Sequence, residues 1–490
     1  MSTLNINNYE EHRPMSMIYQ NLEIVPEGTA DRTAAVLIGS QGDVHQYTTQ
    51  KGLIQIRSRE DIDSKLRNKG DDGKLPTQTN NVLADCAEIA LVAGGGEPFY
   101  CISTTVNGTE DWDSALKVLK NNDRTMFVCP VTDVADDLIK VSNTCLTLSQ
   151  ADTQKWKRCY IGLASNAFDK DGKVQTYQEI DATAESFKIK ALYTKDSDGK
   201  YYILYTDAEY KTLLTSTQLF KDKASEKTIT YYYKTGTQDA DKKTLTLESS
   251  TKFYYNLITR FAEDVGQRTC LIWSAGAKSA YATESGVHVD GTLSAQQVAA
   301  GITALRASIL PQQGLSRRTL SWIYGIPSAY TDYDTQALDK IAVEGVFIVT
   351  QDDEDSDVYI RHQLTNDLTR GIMYYEDSVG VNADTICYGL KDLVKPYIGQ
   401  RNNNQETLVE LKNRVADYLL GLTSTGVSLE SRRIGPQIKE VDLNSLIVKL
   451  DDNFKDRVII SVDVVLPIPL NQVRVHLNAF ASLSDTVESA

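Results

Sequence analysis

Between Thr33 and Leu163 continuous apolar runs alternate with segments of helical periodicity. Thr33 to Gly39 (TAAVLIG), Phe99 to Thr104 (FYCIST), Met126 to Val128 and Cys159 to Leu163 (CYIGL) read as strands. Val82 to Val92, Asp113 to Leu119 and Asp136 to Val141 read as helices, the first stopped by Gly94, Gly95 and Gly96 and the second with Asp113 as its N-cap. A strand with no polar alternation has both faces covered, which in a chain of this rhythm means a parallel sheet between layers of helices. The rhythm resumes with the strand Cys270 to Trp273, the helix Ala295 to Ala307 and the strand Gly345 to Thr350. The expected fold class is therefore α/β, with a layered core built from residues 31–164 and 253–355.

Three regions depart from that rhythm. Residues 1–30 are polar, contain Pro14 and Pro26, and carry one short apolar run around Leu22, Ile24 and Val25, which suits an N-terminal arm. Residues 165–252 are rich in lysine, aspartate, threonine and tyrosine and predict a β-rich insertion. Its hairpins pair Lys188–Tyr193 with Tyr201–Tyr205 around Asp196-Ser197-Asp198-Gly199, and Thr228–Tyr233 with Thr244–Leu247. Residues 356–470 predict an α+β C-terminal domain. It opens with a strand over Val358–Leu364, followed by helices over Asn382–Ile398 and Asn403–Leu422. In the second helix Leu408, Leu411, Val415 and Leu419 share one face, and Asn403 with Glu406 has capping-box spacing. Arg457 to Val465 is a long strand, Pro467 and Pro469 break it, and Gln472 to Leu477 alternates as a last strand in a C-terminal arm, 471–490.

Bulk properties narrow the function. The chain has 490 residues, with 41% apolar and 24% charged residues, enough for several domains with ordinary cores. Its net charge of −15 gives no counterion-release drive toward nucleic acid and repels anionic lipid, so neither is expected as a partner. Met1 to Pro14 lacks the apolar core of a secretory signal, and Val458 to Leu470 is too short and too interrupted to span a bilayer, so folding in a cytoplasm is expected. Seven cysteines (Cys86, Cys101, Cys129, Cys145, Cys159, Cys270 and Cys387) form no C-x-x-C pair, which argues against zinc. Buried, reduced thiols are the first expectation. The odd number leaves a second one, an exposed cysteine paired between subunits.

No motif completes a catalytic or cofactor site, and none is expected. Gly94-Gly95-Gly96 follows a helix and lacks the Lys-Ser/Thr of a phosphate loop. Asp196-x-Asp198-Gly199 and Asp169-x-Asp171-Gly172 miss ligands that a calcium loop needs and read as polar turns. Asp352, Asp353, Glu354, Asp355 and Asp357 read as a solvated loop, with a basic docking partner second and a metal site third. Gly291-Thr292-Leu293-Ser294-Ala295, followed by Val298-Ala299-Ala300-Gly301, echoes the nucleophile segment of subtilisin-like proteases, but Leu293 stands where the serine belongs. A helix start is the better reading.

The terminal strands carry the functional expectation. Val462 and Val464 alternate along the first, and Val473, Val475 and Leu477 along the second. Such a strand either closes its own sheet or joins a neighbour's exposed edge, and the proline break before the last strand favours the neighbour. Leu22 and Ile24 are the N-terminal candidates.

The order of segments resembles that of contractile tail sheath proteins of tailed bacteriophages and related injection machines. The likeness runs through the Ala34-to-Gly39 strand with Gly42, and through Ala90 to Gly96 followed by Pro98-Phe99-Tyr100. It continues in Val298-Ala299-Ala300-Gly301 with Ala304, the strand Val358 to Thr365, Tyr397-Ile398-Gly399 with Arg401-Asn402, and the closing strands from Val462 to Val475. It covers most of the chain outside 165–252. The resemblance implies a subtilisin-like core without catalytic residues and subunits stacked as six-fold rings around a tail tube. It further implies arms that add strands to neighbouring subunits and a sheath that contracts on a signal from the baseplate. The implied partners are copies of the chain itself, the tail tube protein, and baseplate and tail terminator proteins. The implied location is the virion tail, assembled in the host cytoplasm. Another tail subunit (tube or baseplate) and an α/β hydrolase-like enzyme are the alternatives.

Overall fold

The computed structural model describes residues 4–5, 34–42, 52–67, 81–106, 109–123, 125–150, 153–180, 188–225, 228–261, 263–279, 291–423, 434–454 and 456–470. A two-residue strand, β1 (Leu4–Asn5), comes first. The core then begins with β2 (Ala34–Gly39) and β3 (Ile54–Ile56). Helix α1 (Val82–Ala93) leads into β4 (Phe99–Ser103), α2 (Trp112–Lys120) into β5 (Thr125–Val131), and α3 (Ala135–Leu148) into β6 (Arg158–Gly162).

After the inserted segment the core resumes. Its later elements are β13 (Thr269–Ser274), α5 (Ala295–Ala307), α6 (Thr335–Val343), β14 (Val346–Thr350) and β15 (Tyr359–His362). Eight strands form one sheet in the order β15-β14-β13-β6-β5-β2-β4-β3. The six inner strands are parallel, and the two edges, β3 and β15, run antiparallel to their neighbours.

Every residue of β2, β13 and β14 is buried, as their unbroken apolar runs predict. Helix α5 lies across the sheet, with Val298 through Arg306 all buried. Two glycines set that packing. A Cβ on Gly162 would stand 2.1 Å from the Ala295 carbonyl oxygen, and one on Gly301 would stand 2.5 Å from the Trp322 ring.

Several expectations shift. The cap of α2 is Asp111, whose side chain accepts from the Ser114 N–H, and not Asp113, because the helix starts one turn position earlier at Trp112. The strand expected to open the C-terminal domain, β15, instead completes the large sheet beside β14.

The inserted segment has its own small core. Strands β7 (Gln178–Glu179), β8 (Tyr193–Lys195), β9 (Tyr201–Ile203) and β12 (Tyr254–Tyr255) form one sheet, and β10 (Thr230–Lys234) pairs with β11 (Lys242–Thr246). Helix α4 (Ser216–Ala224) adds Leu219 to a cluster with Ile189, Leu192, Leu204, Tyr231 and Phe253. Both predicted hairpins are present, with β8 moved toward the turn and sharing only Tyr193 with the expected strand, and with β11 starting two residues earlier than expected.

The C-terminal part consists of α7 (Asp377–Val394), α8 (Gln405–Thr423), β16 (Glu440–Leu450) and β17 (Val458–Val465). Helix α7 starts five residues before the expected Asn382 and ends before Pro396, which falls in a single 3-10 turn, Lys395–Tyr397. In α8 the four apolar residues on the predicted face are buried. Its capping side chain is Asn404, which accepts from the Thr407 N–H at 2.9 Å, rather than Asn403. No helix among the described residues is long and apolar enough to cross a membrane.

Candidate assembly site

The C-terminal strands form a three-stranded sheet in the order β1-β17-β16. Strand β17 lies in the middle. It pairs antiparallel with β16 from Leu450↔Val458 to Glu440↔Val465, and with β1 at Leu4↔Val464 and Asn5↔Asp463. Apolar side chains from one face of β16 and β17, Leu446, Val462 and Val464, meet Val379, Ile386 and Leu390 of α7 and Leu411, Val415 and Leu419 of α8. Trp156, just before β6, enters the same cluster and meets the Tyr388 ring edge-on at 4.8 Å.

That placement puts two of the expected pairing residues inside the subunit's own sheet. Val462 and Val464 are 2% and 1% exposed, and their strand is flanked on both sides over Asp463 and Val464. They are core residues of this sheet. The physical reason is that the alternation marking them as a pairing face is equally the alternation of a strand packed on two helices. Val473, Val475, Leu477, Leu22 and Ile24 lie outside the described residues.

The sheet does present an edge. Among the described residues β16 has no partner on its outer side. It runs for 11 residues, and Leu443 and Ile447 stand 42% and 49% exposed along it. A register shift between Asp442 and Ile447 interrupts the strand. The interruption is held by the Asp442 side chain, which accepts from the Asn444 N–H at 2.9 Å, and by Ser445 Oγ, which donates to the Asp442 carbonyl at 2.7 Å and accepts from the Asp463 N–H at 2.7 Å. A bulge and the exposed charges Glu440, Asp442 and Lys449 are the usual protection of a long edge against indiscriminate pairing. Beyond β17 the chain passes Gly314, where Pro469 packs, and leaves with Ile468 49% and Leu470 83% exposed.

The other candidates resolve into structure. Leu293 is buried just before α5, and Ser294 caps that helix reciprocally: its Oγ accepts from the Gln297 N–H at 3.1 Å, and Gln297 Oε1 accepts from the Ser294 N–H at 2.8 Å. A cavity of about 410 Å³ opens here at the carboxyl ends of β6 and β13. Its lining offers hydroxyls and amides, such as Ser165, Ser274 and Gln178, and the carboxylate of Asp133, with no histidine, cysteine or lysine among the described residues. Gly94 ends α1, and Gly95 and Gly96 take the left-handed backbone (φ 66° and 84°) that the chain reversal requires.

In both aspartate turns the carboxylate is used by its own loop. Asp169 Oδ1 accepts from the Asp171 and Lys173 N–H groups, and Asp196 Oδ1 from those of Asp198 and Lys200. Asp352 of the acidic run accepts from the Tyr359 hydroxyl at 2.6 Å and pairs with Arg317 at 3.2 Å. All seven cysteines are buried, and burial pushes the Cys129 thiol up to about 12. None lies at the surface, and Cys270 Sγ stands 3.5 Å from the Asp377 carboxylate.

No protein-family model matches the sequence, and no curated protein matches it either. Similarity appears among solved structures. Over 94% of this chain and 98% of the other, the fold aligns with a chain of the anti-feeding prophage (AFP) baseplate, 6-fold symmetrised, at 11% identity and a TM-score of 0.51. A chain of an extracellular contractile injection system, the PVC sheath complex in its contracted state, aligns over 95% of this chain and 98% of its own, at 11% identity and a TM-score of 0.49. A chain of the AFP baseplate in its contracted state gives 94%, 97%, 12% and 0.48. The resemblance read from the order of segments thus holds at the level of the fold, a mixed α/β architecture with one large sheet. No catalytic family is indicated.

Proposed function

We propose that the chain is a structural subunit of a contractile tail sheath. In this reading it polymerises with copies of itself as stacked six-fold rings around a tail tube, and contraction of the stack drives the tube through a host envelope. One observation carries the reading: the fold aligns end to end with a chain of a six-fold-symmetrised prophage baseplate, covering nearly all of both chains. The sheet β1-β17-β16 supplies the means. Among the described residues its outer edge, β16, is open, and residues 471–490 follow β17 after the short stretch Leu466–Leu470. An arm from one subunit pairing along the β16 edge of another makes a heterologous contact, and a heterologous contact that does not close generates a helical tube. Val473, Val475 and Leu477 are the proposed pairing residues, with Leu22 and Ile24 in the N-terminal arm.

The core is read as a subtilisin-like scaffold in which Leu293 replaces the nucleophile, so the work of contraction comes from two packings of the subunit and needs no nucleotide. The tail tube, baseplate and terminator proteins are its further partners, and the virion tail, assembled in the host cytoplasm, is its place. A second reading, a baseplate subunit, draws on the setting of the aligned neighbour. Electron microscopy of the purified chain at high concentration separates the outcomes. Hollow tubes or stacked rings are expected of a sheath, single closed rings of a baseplate component, and strictly monomeric particles would refute both.

A further inference from the structure

Helix α7 is buried on both sides, and the two sides differ in kind. Val379, Ala383, Ile386, Leu390 and Val394 enter the apolar cluster beneath the C-terminal sheet. Asp377, Asp384, Tyr388 and Lys391, which share the other face at spacings of seven, four and three, turn to the α/β core. There Asp384 receives a two-pronged pair of bonds from Arg268, both 3.1 Å, and one from Arg158 Nε at 3.0 Å. Asp377 accepts from the Tyr160 hydroxyl at 2.9 Å and lies 3.4 Å from both Arg158 and Arg306. None of these five charged side chains is more than 2% exposed. Further along, the Tyr388 hydroxyl donates to the Trp156 carbonyl at 3.1 Å, and Lys391 Nζ to the Gln154 carbonyl at 3.0 Å. Gly380 gives the Arg158 guanidinium its room, since a Cβ there would stand 1.9 Å from Arg158 Nη2.

The three arginines come from separate parts of the core: the first residue of β6, the residue before β13, and the end of α5. Only a closed parallel sheet with α5 across it brings them to one point. Without them the polar face of α7 has no site in which it can be buried, because a buried carboxylate needs a charged or hydrogen-bonding partner. The sheet β16–β17 in turn packs on α7 and α8.

We propose that this buried cluster is an assembly checkpoint: α7 docks, and with it the β16–β17 sheet forms, only on a core whose strands have already brought Arg158, Arg268 and Arg306 together. The polymerising edge is then displayed only by completed subunits. This rests on the sheath reading for the word polymerising, but the docking dependence stands on the geometry alone.

The test uses the full chain as purified subunits, with Asp384→Ala to remove the shared carboxylate and Gly380→Ala to push a methyl group into Arg158. Hydrogen exchange read by mass spectrometry is expected to be at least tenfold faster over residues 377–394 and 440–465 in both variants. The core strands Ala34–Gly39 and Phe99–Ser103 are expected to exchange as in the wild type, and sedimentable polymer to fall in step with lost C-terminal protection. Wild-type protection over 377–465 in Gly380→Ala overturns the proposal. So does core exchange that accelerates in parallel with α7, which would make the subunit one cooperative unit with no order to it. Should Asp384→Ala be insoluble, Gly380→Ala alone decides. If the wild type forms no polymer the sheath reading fails, while the exchange comparison still decides the docking dependence.

Discussion

At the scale of single residues, the chain spends its unusual features on positions where backbone or charge is crowded. Lys157, fully buried beside the first residue of β6, has its amine pushed down to about 7, chiefly by burial and against the pull of Asp123. The unfolded chain holds that proton up to about pH 10. Between about pH 7 and the ordinary lysine range the unfolded state therefore binds more protons, and stability rises with pH there. Lys157→Met should flatten this slope, read as the difference in urea midpoint between pH 6.5 and pH 7.5, below the range of about 8.5 where the thiols of the unfolded chain titrate. An unchanged slope would remove the lysine from the account. The caps at Asp111 and Asn404 teach a different lesson. In each case the sequence holds two candidate caps within two residues, and spacing alone selects the wrong one. Asn404→Ala should cost about 1 kcal/mol, measured by chemical denaturation, and more than Asn403→Ala; the reverse order would contradict the bond from Asn404 to Thr407.

At the scale of elements, apolar strands and amphipathic helices are legible because each is defined by its own periodicity. β2, β13, β14 and α5 lie within a residue of where their patterns put them. The start of α7 is not legible: Asp377 to Val381 precede the expected helix start at Asn382, and Asp377 is buried against arginines more than seventy positions away. Strand β16 is missed for a related reason. It is mostly exposed, with Leu446 its one buried residue, so its pattern has little apolar face to show. Its edge nevertheless makes a prediction. Replacing Leu443 and Ile447 together by lysine touches side chains already in solvent, so the thermal midpoint should move by no more than a few degrees. Polymer yield should fall at least tenfold, since two charges would meet the incoming strand. Retained polymerisation with retained folding would exclude this edge as the contact.

At the scale of the whole molecule, the α/β core, the inserted segment and the C-terminal sheet have separate hydrophobic clusters, and α7 and Trp156 bridge the first to the last. The described members of these clusters all lie before residue 471. A chain lacking residues 471–490 should fold with the same circular dichroism as the parent and fail to sediment as polymer; unimpaired polymerisation would sink the arm hypothesis. By itself the sequence determined the α/β class, the glycine stop after α1 and the amphipathic face of α8. All of these follow from local periodicity or from which residue stands at one position. Tertiary structure alone decided that β15 closes the large sheet, that Val462 and Val464 face inward, that every cysteine is buried, and that α7 turns its charges to the core. In each of those cases local pattern allows two placements, and the choice falls to partners distant in the chain.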